Sequence, residues 1–128
     1  MHPEKLLSQH PLKNGLALEF WDLSRPLLGD RWQVVVEARV AIAVAGDTLP
    51  QELRPQLDQV LAALGEEVVF AKQEVRQFVA AGEVPETLKL IEDQLLTSLR
   101  AYLGHPDFAR RFIRKKYADQ QKPKGWYH

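Results

Sequence analysis

The chain has 128 residues, with 17 lysines and arginines against 17 aspartates and glutamates, 45% hydrophobic and 27% charged residues, and no cysteine. That is the size and composition of a single globular domain able to bury one core, and it predicts a soluble, cytoplasmic protein. The missing thiols exclude a disulfide framework, thiol catalysis and cysteine-ligated metal centres, and no apolar run has the length of a signal peptide or a membrane span.

Residues 1–14, with two prolines and an Asn14-Gly15 pair at the end, read as an irregular arm. A short strand is expected over about 16–22, where Leu16, Leu18 and Phe20 alternate. The segment 22–31 then carries Asp22, Ser24, Arg25, Asp30 and Arg31 between Trp21 and Trp32. Asp and Ser cap turns with their side chains, Pro26 fixes a backbone angle and Gly29-Asp30 is a turn signal, so the segment is expected to connect two strands. Its five polar residues are a ligand site only if they converge on a cavity.

The strongest periodicity lies over 31–44. Trp32, Val34, Val36, Ala38, Val40, Ile42 and Val44 share one face, and Gln33, Glu37 and Arg39 are among the residues of the other. This is the pattern of a half-buried antiparallel strand. The period changes at Thr48, which with Gln51 forms an expected capping box for a helix over about 50–64, regular only from near Pro55.

Residues 66–81 fit both periods. Their β-branched and aromatic content, and the need of the long strand for a partner, favour a strand over about 67–79. Val69, Ala71, Val75 and Val79 are then expected on one face, with Lys72, Glu74 and Arg76 on the other, pairing with Glu37 and Arg39. Pro85 opens a helix over about 85–103, whose stripe is Leu88, Ile91, Leu95, Leu96, Leu99, Tyr102 and Leu103. A last helix over about 106–119 precedes a basic tail, 120–128. The expected fold is α+β in the order ββαβαα: a three-stranded, mainly antiparallel sheet packed on one face by three helices.

Few residues form a constellation that carries chemistry. The four histidines, His2, His10, His105 and His128, have no metal-ligand spacing, and no serine stands in a nucleophile-elbow motif. The seven glycines are scattered singly rather than gathered in a phosphate-binding loop. Glu92 and Asp93 read as a solvated helix face. No catalytic residue, metal or cofactor is assigned.

Charge is unevenly spread, since residues 105–128 hold seven basic residues against two acidic ones. Arg110, Arg111, Arg114, Lys115, Lys122 and Lys124, with Trp126, form a candidate contact for nucleic acid or another anion. Without a recognisable base-reading motif, nucleic acid ranks behind a protein partner. The expected function is a non-enzymatic protein-interaction or self-associating module. Nucleic-acid binding by the C-terminal helix and tail is the first alternative, and a small-ligand site at 22–31 the second.

Overall fold

A computed structural model describes residues 3–122. Lys124 and Trp126, expected to contact an anion, lie outside the described residues. The fold is α+β with an antiparallel sheet and three helices, but the sheet has five strands where three were expected. They are β1 (Lys5–Pro11), β2 (Ala17–Asp22), β3 (Arg25–Pro26), β4 (Arg31–Ala43) and β5 (Glu67–Ala80). The helices are α1 (Leu57–Leu64), α2 (Val84–Leu103) and α3 (Phe108–Gln120).

The first correction concerns the arm. Lys5–Pro11 pairs antiparallel with β2, from Lys5↔Asp22 to Pro11↔Ala17, with a register shift between Leu6 and Ser8. The Asn14-Gly15 pair makes the connecting turn: Gly15 has φ +89° and its N–H donates to Leu12 O at 3.0 Å. Sequence alternation does not reveal β1 because its inward positions are Ser8 and His10, opposite Phe20 and Leu18.

The second correction concerns 22–31. β2 and β3 run along one edge of β4 in a single register, since Leu18↔Val40, Asp22↔Val36, Arg25↔Gln33 and Pro26↔Trp32 are successive partners of one antiparallel ladder. The segment is therefore a β-hairpin with a break at Leu23 and Ser24. Its tip turns at Gly29 (φ +67°), with Arg31 N–H donating to Leu28 O at 3.3 Å. Glycine at the first central position with positive φ, followed by an aspartate without it, fits a type II′ turn, whose twist matches paired strands.

The chain divides into two compact units. The first comprises residues 1–40 and 70–105. Leu18, Phe20, Val34, Val36, Ala38 and Val40 are buried on one face of its strands, and Ile91, Leu95, Leu99 and Leu103 are buried along α2. The helix thus buries four residues of the expected stripe, while Tyr102 is 55% exposed. At the end of α2, Asn14 Nδ2 donates to the Leu103 carbonyl at 2.8 Å, an acceptor that a helix end leaves open, and to the His105 carbonyl just beyond it at 3.0 Å.

The second unit comprises residues 41–69 and 106–128. Ile42, Val44, Leu49, Val60, Val68, Phe108 and Ile113 are buried there. A 3-10 helix, Gln51–Gln56, holds Pro55, and the α-helix starts only at Leu57, beyond the proline. Thr48 makes no capping box. Its hydroxyl donates to Ala43 O at 2.6 Å or Ala45 O at 3.0 Å and accepts from Ala45 N–H at 3.0 Å, closing the turn after β4. Gly65 ends α1 at φ +82°, ψ −171°, a conformation essentially reserved for glycine.

The third correction is the orientation of β5. Val68 is buried and Phe70 half-buried, whereas Val69, Ala71 and Val75 are exposed, the reverse of the expected faces. Phe70 meets Tyr102 edge-on at 6.4 Å, and Arg76 donates to Gln94 on α2 at 3.1 Å. Gln73, not Lys72, Glu74 or Arg76, reaches Glu37. β5 also contains a bulge. Val44 N–H donates to Glu66 O and Ala81 N–H to Asp30 O, so β5 spends one residue more than β4 between these two bonds. Phe78, the only described non-glycine residue with positive φ (57°), lies within that interval and is 69% exposed.

Candidate functional site

Two groups of side chains in the first unit have the partners and geometry of a site. One is the cleft between β1 and α2. The break in alternation at β1 turns Ser8 and His10 inward, and the α2 period places Glu92 toward them. Ser8 Oγ donates to Glu92 Oε2 at 2.6 Å and lies 3.1 Å from His10 Nε2. His10 also packs edge-on against Phe20, with ring centroids 5.6 Å apart. Around them is an open cleft of about 190 Å³ lined by Ser8, His10, Lys89, Glu92, Asp93 and Leu96.

Serine, histidine and a carboxylate invite comparison with a catalytic triad, but the wiring differs. A triad base accepts the serine proton and is oriented by a carboxylate on its other ring nitrogen. Here the serine proton goes to the carboxylate itself, so the Nε2 that faces Ser8 can only donate. The hydroxyl is held in place rather than activated. The arrangement closes the hydrogen bonds of three half-buried polar groups and leaves Lys89 and Asp93 at the mouth. It is a polar cleft whose serine is held by its neighbours. The sequence reading missed it because Ser8 and His10 lay in the presumed arm and Glu92 on a presumed wet face. The only available signal was the Asn14-Gly15 turn, which implied an extended segment before it.

The other group covers the outer face of the sheet. Arg39 Nη1 and Nη2 donate to the two carboxylate oxygens of Glu4 at 3.1 and 2.7 Å, and its Nε donates to Glu37. Its guanidinium lies 4.8 Å from the centre of the Trp21 ring. Trp21 Nε1 donates to Glu19, and Gln9 does so from β1. Gln73 adds a bond to Glu37 from β5 at 2.7 Å. One polar network therefore crosses β1, β2, β4 and β5.

The titration of these groups follows from the contacts. The Arg39 hydrogen bond, foremost, and the Arg39 charge hold the Glu4 carboxyl below its ordinary value against the opposing effect of desolvation. Burial pushes Glu37 up, but the hydrogen bonds from Gln73 and Arg39 and the Arg39 charge together bring it down. Arg39 is raised in return, foremost by Glu4.

The hairpin residues are engaged locally. Asp22 Oδ1 accepts the Ser24 N–H at 2.8 Å, and Ser24 Oγ accepts the Val35 N–H at 3.0 Å, replacing a ladder bond at the break. Arg25 donates to Gln33 at 2.9 Å, and Arg31 lies 3.7 Å from Asp30 at the tip. Asp22 is brought to Ser24, and Asp30 to Arg31, while Arg25 pairs apart from both.

On α3, Arg110 and Arg111 lie 3.4 and 3.8 Å from Asp107, and Arg114 donates to Glu52 at 2.8 Å. Lys122 lies 3.5 Å from Asp119, and Lys115 is exposed. Four of these five cations therefore lie beside carboxylates. Glu52 is held below its ordinary value chiefly by the Arg114 hydrogen bond. Among the described residues no helix is long and apolar enough to cross a membrane, and no cluster of His, Asp and Glu has metal-binding geometry.

The chain matches no protein-family model, no curated protein and no solved structure.

Proposed function

We propose that the protein is a non-enzymatic interaction module that binds protein, foremost a second copy of itself, through the edge strand β5. The observation that carries this reading is the unpaired edge. β5 is fourteen residues long and pairs with β4 alone among the described strands. A strand edge presents N–H and C=O groups ready to extend a sheet. Val75 and Phe78 add exposed apolar surface along it.

Sedimentation velocity over a wide range of concentrations tests the reading. The expected result is a concentration-dependent species of twice the 14.6 kDa chain mass. A chain that stays monomeric up to millimolar concentration refutes self-association. Nucleic-acid binding through Arg110, Arg111, Arg114, Lys115 and Lys122 is the competing reading, and a small-ligand site at 22–31 the next. Carboxylates beside four of those cations reduce the charge left for phosphates. Salt-sensitive retention of single-stranded oligonucleotides, lost in an R110A/R111A/R114A variant, would favour the nucleic-acid reading instead.

A further inference from the structure

We infer that the second copy docks along the open edge of β5 as an antiparallel strand, with the two-fold axis at Gln73. The inference rests on the self-association proposed above and specifies its register.

Backbone directions fix which groups are available. Leu23 N–H donates to Val35 O at 2.9 Å, so odd-numbered residues of β4 turn their backbone groups toward β2 and β3. Asp30 O accepts from Ala81 N–H, so even-numbered ones face β5. Gln73 reaches Glu37, an odd-numbered β4 residue, with its side chain. In antiparallel alternation the backbone groups of Gln73 therefore face the open edge, as do those of Ala71 and Val75. Arg76 Nη1 donates to Val75 O at 3.1 Å, covering one of these acceptors in the single chain and yielding it on pairing. Phe78 limits the usable stretch, because the bulge reverses the alternation beyond it.

A two-fold pairing puts residue i against j and j against i. Matching the outward groups leaves a small set of centres, and charge selects among them. Centred on Lys72, the two lysines oppose each other; centred on Glu74, the two glutamates do. Centred on Ala71, Lys72 and Glu74 both face apolar residues, Phe70 and Val68. Centred on Val75, Glu74 would face Arg76, but that guanidinium is held on α2 by Gln94 and the pairing runs into the Phe78 bulge after two residues. Centred on Gln73, Lys72 of each copy lies across from Glu74 of the other. That contact occurs twice, at the non-hydrogen-bonded positions where side chains approach most closely. Ala71 then lies across from Val75, joining small and branched apolar side chains on the outer face. Lys72 is exposed and Glu74 is 40% exposed, so both are accessible to a second chain.

The test is a charge swap with a cross-link, using the full chain. Lys72→Glu and Glu74→Lys each place like charges opposite one another twice, and each is expected to weaken dimerisation about tenfold or more. The double variant K72E/E74K restores the opposite-charge pairs and is expected to return affinity to near the wild-type value. Gln73→Cys, in a chain with no other cysteine, is expected to give a disulfide-linked dimer on mild oxidation, because the axis brings its two Cα atoms to about 5.5 Å. Ala71→Cys is not, because its copies lie roughly 13 Å apart along the strands. A monomer at every concentration overturns self-association and the register with it. A dimer that the double swap fails to restore, or that links through Ala71→Cys and not Gln73→Cys, overturns the register alone.

Discussion

Replacing Arg39 with methionine tests whether the outer polar network holds the sheet together or merely decorates it. The Arg39 side chain is 21% exposed and that of its partner Glu37 only 13%. Their hydrogen bond is therefore poorly screened and worth about 1–2 kcal/mol. Stacking on Trp21 contributes a further ~0.5–1 kcal/mol. The Glu4 contact adds nothing to this sum, since its carboxylate is half-exposed and readily rehydrated. Methionine keeps the length of the stem over the indole, so the expected loss, about 2 kcal/mol, measures the charge and not the packing. Urea denaturation at neutral pH reads it as a shift in midpoint at constant slope.

The pH dependence is the sharper part of this prediction. Glu37 has a folded-state value below the ordinary 4.5. A depressed carboxylate gives stability that is fully present above its unfolded value and lost as pH falls through the folded one. The difference between wild type and Arg39→Met should therefore be constant near neutrality and shrink below pH 4.5. A difference under about 0.5 kcal/mol at neutral pH, or one unchanged in acid, refutes the electrostatic account.

Three further substitutions probe the backbone. Phe78→Gly relieves a positive φ on an exposed aromatic residue and should leave stability unchanged or raise it by up to about 1 kcal/mol in urea titration, the left-handed strain outweighing the entropy of glycine. A loss larger than that would show the ring to be packed. Gly65→Ala should cost about 1–3 kcal/mol, because alanine is strained at the φ and ψ that end α1, although a Cβ there meets nothing within 4 Å. Asn14→Ala removes the donor to the Leu103 and His105 carbonyls and should cost about 1–2 kcal/mol, with faster amide exchange in the last turn of α2.

What the sequence disclosed follows from where periodicity is strong. β4 alternates through thirteen residues, and the α2 stripe repeats at helical spacing, so both were legible to within a residue or two. The start of α1 was legible through Pro55. β1 was not, because an edge strand with serine and histidine facing inward has no apolar alternation; its polar positions are satisfied by Glu92, 84 residues away in the chain. β5 was recognised as a strand but with its faces exchanged. Valines occupy both faces there, and a bulge at Phe78 breaks the period that would have distinguished them. The Ser8–His10–Glu92 cluster shares the fate of β1, since a site assembled from a hidden strand cannot be read from spacing. The hairpin residues Asp22 and Ser24 were legible as turn-forming types, and their side chains do accept backbone N–H groups, of Ser24 and Val35, but at a break inside a hairpin.

The two edges of the sheet in the first unit are protected differently, and the difference bears on what can assemble. β1 is seven residues long, carries Lys5 at its start and a register shift between Leu6 and Ser8, and ends at Pro11, which has no N–H to donate. Each of these features discourages a further strand. β5 is twice as long, and its protection is confined to the Phe78 bulge and a few charges. Those charges repel a second copy centred on Lys72 or Glu74 and attract one centred on Gln73. Pairing through β5 thus consumes the permissive edge of both copies and leaves only the obstructed β1 edges at the rims. Such a contact is isologous and closes after two chains, whereas a permissive β1 would have allowed open-ended growth.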